Sequence, residues 1–208
     1  MVWKTRYGPG AVLTYRGLID PLISPLRPKI TRICFDLKAG NVLDIASGTG
    51  AQCRRLHQVG IQATGIDFAE PMITAARRHS DSGIRFVHGS AYELPFEDDA
   101  FDACLLVLAL HEHPEANRTV MIEEAFRVMR PGGHLIVADF CEPAHPALHV
   151  PWQVIRLIEN TAGDEHNAGF RDFVSRGCLA GLIERHGLTA SHTMPSHFGT
   201  IGIAIVRP

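Results

Sequence analysis

A glycine-rich turn after the first apolar segment is the earliest place in the chain where the residue types suit ligand binding. The segment 41–46 ends in Ser47-Gly-Thr-Gly50. Glycines let a chain turn tightly and bring backbone N–H groups against a bound molecule. Asp67 comes 17 residues after Gly50, at the end of the next apolar segment, where a carboxylate can accept bonds from both hydroxyls of a ribose. The turn alone also fits an ordinary strand-to-helix connection, but the turn and the spaced acid together indicate a nucleoside ligand.

The residues in and after this turn narrow the choice of nucleoside. A dinucleotide fingerprint needs a third glycine, G-x-G-x-x-G, and Cys53 occupies that position. No G-x-x-x-x-G-K-[ST] motif occurs in the sequence, which excludes a P-loop. Asp44 lies next to the turn, where it would repel a pyrophosphate and attract a cation. S-adenosyl-L-methionine carries a sulfonium, an ammonium and ribose hydroxyls, so it fits better than a nicotinamide dinucleotide.

A second set of chemically active side chains follows the fourth and fifth apolar segments. His111 comes directly after the fourth segment, where an imidazole could take a proton from a hydroxyl or an amine; the alternative is a histidine that only caps the strand–helix junction. With His111 and His113, a polar group after the fifth segment could ligate zinc or iron; it comprises Asp139, Cys141, Glu142, His145 and His149. Pro146 separates the last two histidines and no fourth ligand is defined, so we predict solvated histidines and no metal.

The elements that must position these residues alternate short apolar segments with amphipathic stretches, as in a parallel sheet covered by helices. Strands are predicted at 41–46, 61–66, 84–88, 102–108, 135–140, 188–194 and 201–206. Helices are predicted within 11–38 with a break at 21–28, after Gly50, from Glu70, and at 115–129, 148–160 and 170–186. No helix fits between the last two strands, so they should pair antiparallel. The prediction is an α/β fold with a seven-stranded, mostly parallel sheet, the last strand antiparallel, and helices on both faces.

Five segments in a fixed order resemble the class I S-adenosylmethionine-dependent methyltransferases. The resemblance is to the branch that includes the ubiquinone and menaquinone biosynthesis methyltransferases (methyltransferase type 11), and it covers about residues 39–140. The segments are Val42-Leu-Asp-Ile-Ala-Ser-Gly-Thr-Gly50, Gly65-Ile-Asp-Phe-Ala-Glu-Pro-Met72, Gly89-Ser-Ala-Tyr-Glu-Leu-Pro-Phe96 with Phe101-Asp102, Leu110-His111, and Phe126-Arg-Val-Met-Arg-Pro-Gly-Gly133. The resemblance implies a Rossmann-like fold, and in-line methyl transfer to a small-molecule or amphiphilic, lipid-like acceptor that leaves S-adenosyl-L-homocysteine.

The resemblance also assigns roles to individual residues. The residues expected to bind the cofactor are Asp44, Ala46, Ser47, Gly48, Thr49, Gly50, Asp67, Phe68, Met72, Ser90, Ala91, Tyr92, Val107 and Leu108. His111 and Tyr15 are the expected catalytic candidates, Tyr15 as part of an N-terminal lid helix over the cofactor; a plain packing tyrosine is the alternative. One domain, 1–208, is predicted, with a lid at 1–38, a cofactor-binding core at 39–140 and a substrate-side part at 141–208.

Two residues depart from the family pattern. Ala46 stands where the family has a glycine, and its methyl group crowds the methionyl side of the cofactor. Ser90 stands where an aspartate contacts the adenine amino group, so an uncharged acceptor replaces a charged one, a difference on the order of 1 kcal/mol. These departures keep a second hypothesis open, a catalytically silent module that binds S-adenosylmethionine. A nicotinamide-dependent oxidoreductase is the third.

Composition and charge indicate the class of protein, its compartment and the partners to expect. The 208 residues are 46% hydrophobic and 20% charged, which is enough for one globular core. Five scattered cysteines and no apolar leader at the N-terminus predict a cytoplasmic protein. A net charge of −2 gives no sign of nucleic-acid binding. The oligomeric state stays open.

The first 40 residues have a different charge balance from the rest of the chain. Seven bases and two acids give residues 1–40 a balance of +5. An apolar stripe, Leu18 to Leu26, lies among these bases, a mixture that fits an interfacial helix. We expect either a solvated lid or a peripheral contact with a membrane through residues 1–40. The signatures of the quinone enzymes near the N-terminus and in a longer C-terminal half are not evident, so an amphiphilic acceptor is favoured over a quinone.

Overall fold

A computed structural model describes residues 12, 13, 15–142, 152, 153, 155, 159 and 164–207. Its strands are β1 (Asn41–Ile45), β2 (Gln62–Asp67), β3 (Arg85–His88), β4 (Phe101–Val107), β5 (Met129–Phe140), β6 (Thr189–Ser196) and β7 (Ile201–Arg207). They form a seven-stranded sheet in the order β3-β2-β1-β4-β5-β7-β6. The predicted α/β class and the count of seven strands are confirmed.

The helices follow the strands as expected of this class. They are α1 (Asp20–Ile23), α2 (Leu26–Asp36), α3 (Ala51–Gln58), α4 (Glu70–Arg78), α5 (Glu115–Val128), α6 (Asp164–Ser175) and α7 (Cys178–Arg185). A π-helical turn, Tyr15–Ile19, precedes α1, and 3-10 turns occupy Leu110–Glu112 and His197–Gly199. The first helical region is interrupted as predicted, but only at Ser24 and Pro25, since α1 ends at Ile23 and α2 begins at Leu26; the remainder of the predicted break at 21–28 is helical.

Contacts within the chain divide it into two compact units. The first consists of Met1–Leu105 and Arg127–Gly133. In it β1 pairs parallel with β2, and β2 pairs parallel with β3. Strands β1 and β2 are buried over most of their length, as expected of a parallel sheet with apolar residues on both faces, whereas β3 is largely exposed or half-buried.

The second unit consists of Leu106–Phe126 and His134–Pro208. Here β7 pairs antiparallel with β5 on one side and with β6 on the other. Six of the seven residues of β7 are buried, so it is an interior strand, whereas β6 is largely exposed at the edge of the sheet. The predicted antiparallel direction of 201–206 and its hairpin with the preceding strand are confirmed.

Two predicted elements are wrong. The predicted single helix at 170–186 is two helices, α6 and α7, because Gly177 between them takes a φ of +82°, which no α-helix accommodates. The fifth strand begins at Met129 instead of 135, directly after α5 ends at Val128.

Other expectations stay untested. Most of the predicted helix 148–160 lies outside the described residues. The single domain with boundaries at 38 and 140 stays a prediction. No helix among the described residues combines the length and apolar character needed to cross a bilayer.

Candidate active site

The turn after β1 is shaped by two glycines and by β2. Gly48 and Gly50 take φ values of +53° and +73°. The Ser47 N–H donates to the Ile66 carbonyl in β2 at 3.0 Å, which fixes the turn against the neighbouring strand. A Cβ atom on Gly50 would lie 2.5 Å from the Phe86 ring, so both the backbone angle and the space require glycine there.

Asp67, at the end of β2, is held beside this turn by two backbone donors. The Gly48 N–H donates to Oδ2 at 2.8 Å, and the Ala69 N–H donates to Oδ1 at 2.8 Å. The side chain is half-buried. Because each carboxylate oxygen can accept more than one bond, the fixed carboxylate can also accept hydroxyl donors from a ligand.

Ala46 is the residue at which the sequence departs from the glycine of the first motif. Its φ is +60°, in the left-handed region that favours glycine. The chain therefore keeps the backbone conformation of a glycine with an alanine in place, which costs about 1 kcal/mol. The departure changes the stability of the turn but not the path of its backbone.

Asp44 in β1 is almost fully buried below the turn. The Cys53 thiol donates to its Oδ2 at 3.5 Å. Burial is the largest cause that raises the pKa of Asp44, to about 7, while the Cys53 bond and Arg27 act in the opposite direction. At neutral pH the proton of Asp44 is therefore easily gained or lost, and a nearby cation would favour the ionised form.

The N-terminal segment covers part of the turn. A Cβ atom on Gly48 would lie 3.5 Å from the Tyr15 hydroxyl oxygen, so the Tyr15 ring lies over the glycine. Val12 packs with Ala69 and Met72 in a small apolar cluster, against which Tyr15 also lies. The predicted placement of Tyr15 and of a helical segment over the turn agrees with this contact, and the catalytic role of Tyr15 stays a prediction.

Four more of the predicted cofactor residues lie just after the ends of β2 and β3. Phe68 is 41% exposed, and its ring centroid lies 6.3 Å from that of His88. The Ser90 hydroxyl oxygen accepts the Tyr92 N–H at 3.1 Å, which closes a tight turn that also contains Ala91. Ser90 is thus already a backbone acceptor, where the family pattern has a carboxylate.

Two buried hydroxyl groups in the turn bear on whether a polar ligand fits there. Ser47 Oγ and Thr49 Oγ1 are buried and have no hydrogen-bond partner among the described residues. Buried polar atoms normally have partners. The two hydroxyls, the glycine N–H groups and Asp67 together suit a small ligand with several polar groups, such as the amino acid and ribose parts of S-adenosylmethionine.

His111 belongs to the second unit, in the turn after β4. Its ring is buried, and its Nδ1 lies 2.8 Å from Asp139 Oδ1. Asp139 Oδ2 also accepts the N–H groups of Leu110 and His111, and Oδ1 accepts that of Phe140. The sequence placed His111 after the fourth segment and Asp139 at the end of the fifth, within one candidate metal group, but did not predict the hydrogen bond between them. The buried carboxylate thus fixes both the ring and the backbone of the His111 turn.

The electrostatics of His111 favour its cationic form. Burial acts to lower its pKa, but Asp139, Glu159 and Glu112 outweigh burial, so the pKa lies above its ordinary value. Nε2 lies 3.8 Å from Glu159 Oε2. Of the predicted cofactor residues, Val107 and Leu108 also lie in this unit, and the Leu108 N–H donates to Ala138 at 2.7 Å.

Aromatic rings and a buried arginine surround the His111 turn. Aromatic rings with centroids within 6.5 Å of the His111 ring include those of Phe140, Phe170 and Phe173. Arg118 is fully buried, donates to Leu110 and Gly169 carbonyls, and forms ion pairs with Glu115 and Asp172. The sequence analysis missed Arg118; its only signal is Glu115, three residues earlier on the same helix.

The candidate metal ligands do not gather within the described part of the chain. No three His, Cys, Asp or Glu side chains there are arranged to hold an ion. His145 and His149 lie outside the described residues. Asp139 and His111 do meet, as a hydrogen-bonded pair.

Comparison with known proteins identifies the family. A model described as a methyltransferase domain matches residues 43–137. A demethylmenaquinone methyltransferase from Clavibacter sepedonicus is 34% identical over an alignment 191 positions long, which covers 77% of this chain and 77% of that protein. The chain belongs to the S-adenosylmethionine-dependent methyltransferases. The family resemblance in the sequence is thereby confirmed, and the third hypothesis, a nicotinamide oxidoreductase, is set aside.

One further relative and one solved structure are also similar to this methyltransferase. The ubiquinone/menaquinone biosynthesis C-methyltransferase UbiE of Methylobacterium nodulans is 30% identical, over 83% of this chain and 73% of that protein. Among solved structures, DhpI in its complex with SAH superposes with a TM-score of 0.69 at 19% identity, over 96% of this chain and 92% of that one. This last likeness concerns the fold.

Proposed function

We propose that this methyltransferase transfers the methyl group of S-adenosylmethionine to a small lipid-like acceptor, and that the turn at 46–50 and Asp67 hold the cofactor. The observation that carries the proposal is the pair of backbone bonds, from Gly48 and Ala69, that fixes the Asp67 carboxylate beside the turn. A carboxylate held in this way accepts the ribose hydroxyls without first losing side-chain freedom.

The other residues of the first unit take roles that follow from their surroundings. Asp44, with its pKa near 7, supplies a negative charge for the cofactor's ammonium as it ionises. Phe68, which is 41% exposed, offers apolar surface to the adenine, and Ser90 offers a hydroxyl to the adenine amino group. Tyr15 closes the turn from the side of Gly48.

When bound, S-adenosylmethionine supplies a methyl group already activated by a positive sulfur, so the protein's task is to bind, to orient and to manage one proton. We propose that the His111–Asp139 pair accepts that proton. In the neutral imidazole Asp139 keeps the proton on Nδ1, which makes Nε2 the basic nitrogen. The acceptor atom that gains the methyl group, a hydroxyl oxygen or a ring carbon, gives up one hydrogen as a proton, and Nε2 of His111 would accept that proton.

The acceptor class rests on the relatives, whose names refer to demethylmenaquinone and to ubiquinone/menaquinone biosynthesis. The aromatic rings around His111 support a planar or apolar acceptor. Demethylmenaquinone is therefore the first compound to test, beside an amphiphile without a quinone ring.

Asp67→Ala tests the cofactor site. It removes the charged acceptor for the ribose hydroxyls, so we expect the affinity for S-adenosylhomocysteine to fall by about 1.5–3 kcal/mol, roughly 10- to 150-fold. Isothermal titration calorimetry measures this, with Asp81→Ala, an exposed aspartate of the same unit, as the matched control. Equal affinity in Asp67→Ala and the parent would refute the assignment.

Methyl transfer itself separates the enzyme from a silent binding module. The parent should bind the cofactor and also move radiolabelled methyl groups to demethylmenaquinone or to the amphiphile. Binding without transfer to either acceptor would favour the silent module. The departures at Ala46 and Ser90 are the observations that keep this alternative in view.

A further inference from the structure

The N-terminal arm, defined as residues 12, 13 and 15–38, exposes a row of leucines. Leu13, Leu18 and Leu22 are 72%, 61% and 54% exposed. Their spacings of five and four residues bring them to one side of the arm, because the Tyr15–Ile19 turn between them is π-helical and closes every five residues. Val12, next to Leu13, is buried instead against Ala69 and Met72, and Tyr15 packs against the same cluster.

Basic side chains accompany this row. Residues 12–40 contain five bases and two acids, a balance of +3. The two acids, Asp20 and Asp36, form ion pairs with arginines of the arm itself, Arg27 and Arg32. The exposed bases of the arm are Arg16, Lys29, Arg32 and Lys38. An apolar row with a surplus of positive charge suits a surface that is apolar inside and negative outside.

We propose that the arm docks on an anionic lipid bilayer, with Leu13, Leu18 and Leu22 in the acyl boundary and the bases among the headgroups. This is the mode of an interfacial helix. A second copy of the chain fits the face less well, since a symmetric contact would bring two surfaces of the same positive charge together. The proposal rests on the proposed function only in that a lipid-like acceptor is supplied from the bilayer.

Docking has a consequence for the first unit's site. The arm carries Tyr15 over Gly48 on its inner side and the leucines on its outer side. The two sides of a helix are separated by about 10 Å. A docked arm would therefore hold the cofactor turn about one helix diameter from the lipid interface, within reach of an acceptor that keeps its tail in the bilayer.

The experiment is co-sedimentation of the full chain with vesicles. The vesicles contain either phosphatidylcholine alone or phosphatidylcholine and phosphatidylglycerol at a ratio of 7 to 3. We expect binding to the anionic vesicles at low salt and its loss at high salt, because ions at 0.1 M already screen charges over about 10 Å. The neutral vesicles should bind weakly at either salt concentration.

Two variants and their controls locate the surface. Leu18→Ser with Leu22→Ser should weaken binding about 100-fold, and Val59→Ser with Val120→Ser, two exposed valines outside the arm, should not. Lys29→Gln with Arg32→Gln should weaken binding about 30-fold, roughly fivefold for each base. Arg55→Gln with Arg78→Gln changes the net charge equally on α3 and α4 and should have a smaller effect.

Several outcomes would overturn the proposal. They are no binding to anionic vesicles at low salt, equal binding to neutral vesicles, and binding that the leucine variant leaves unchanged. A dimer that the leucine variant dissociates, seen by analytical ultracentrifugation, would assign the face to a second copy instead. Calorimetry with S-adenosylhomocysteine on the same samples distinguishes a failure of the docking proposal from a failure of the proposed function. If the protein still binds S-adenosylhomocysteine but does not bind vesicles, only the docking proposal is rejected.

Discussion

At the scale of single residues, the turn after β1 depends on a backbone conformation more than on particular side chains. Gly48, Gly50 and Ala46 all have positive φ. A sequence can reveal two of these positions through their glycines. It cannot reveal the third, because alanine gives no sign that its backbone is left-handed.

Ala46→Gly should therefore stabilise the protein. Glycine takes a φ of +60° without the steric cost that alanine has there. We expect the free energy of unfolding to rise by about 1 kcal/mol, measured by urea denaturation. Ala190→Gly, in an extended strand, is the matched control and should lower it by about 0.5–1 kcal/mol. A loss of stability in Ala46→Gly would contradict the strain argument.

The pairing of His111 with Asp139 predicts how methyl transfer depends on pH. The pKa of His111 is raised, so its proton is held in the folded state and its contribution to stability is lost as the pH rises through that pKa. A base must first lose this proton, so we expect the rate to increase with pH to a plateau above the raised pKa.

Asp139→Asn removes the nearest carboxylate and should shift the inflection of the pH–rate profile to lower pH, with a lower plateau. His111→Gln should abolish the inflection. His192→Gln, an exposed histidine on β6, should leave the profile unchanged. An inflection that stays in place in Asp139→Asn would mean that His111 is not the titrating base.

At the scale of elements, turn residues and the alternation of apolar segments with amphipathic stretches predict the strands of the sheet well and the ends of the helices less well. Strands β1 and β2 are mostly buried, and the predicted apolar segments 41–46 and 61–66 coincide with them within one residue. The predicted helix 170–186 failed because Gly177 lies inside a pattern that is apolar on both sides of it. The helical spacing of apolar residues continues through Gly177, but the helical backbone is interrupted there.

Apolar periodicity and turn residues do not predict the side-chain pairings of the second unit. Arg118 joins the His111 turn to α6 through the Leu110 and Gly169 carbonyls. These residues are far apart in sequence, and nothing in their types indicates the contact. A sequence can place His111 after one strand and Asp139 at the end of another, but the distance between their side chains has to come from the structure.

Gly177→Ala tests the break between α6 and α7. Its φ of +82° strains any residue with a Cβ, although the space around it is adequate. We expect a loss of about 1–2 kcal/mol in the free energy of unfolding. Gly17→Ala is the control: nothing lies near its Cβ position, its φ is not in the left-handed region, and it lies in a helical turn. If both variants behave alike, the break does not depend on Gly177.

At the scale of the whole molecule, three elements run through both compact units. The boundary falls at Leu105 in β4, at Phe126 in α5 and at Gly133 in β5. A strand or a helix loses its hydrogen bonds cooperatively, so unfolding on one side of such a boundary disrupts the element on the other. We therefore expect one unfolding transition, as the predicted single domain 1–208 requires.

Binding of S-adenosylhomocysteine should raise the melting temperature of that transition without splitting it in two. A ligand at 100 times its dissociation constant adds about 2.7 kcal/mol to the stability of the state that binds it. For a chain of this size that corresponds to roughly 5–10 °C in the melting temperature. Differential scanning calorimetry, with and without the ligand, measures the shift. Asp67→Ala serves as the control: at the same ligand concentration its roughly 10- to 150-fold weaker affinity should leave about 0.3–1.4 kcal/mol of the stabilisation. Two transitions, of which the ligand moves only one, would mean that the two units fold independently and that the ligand stabilises one of them alone.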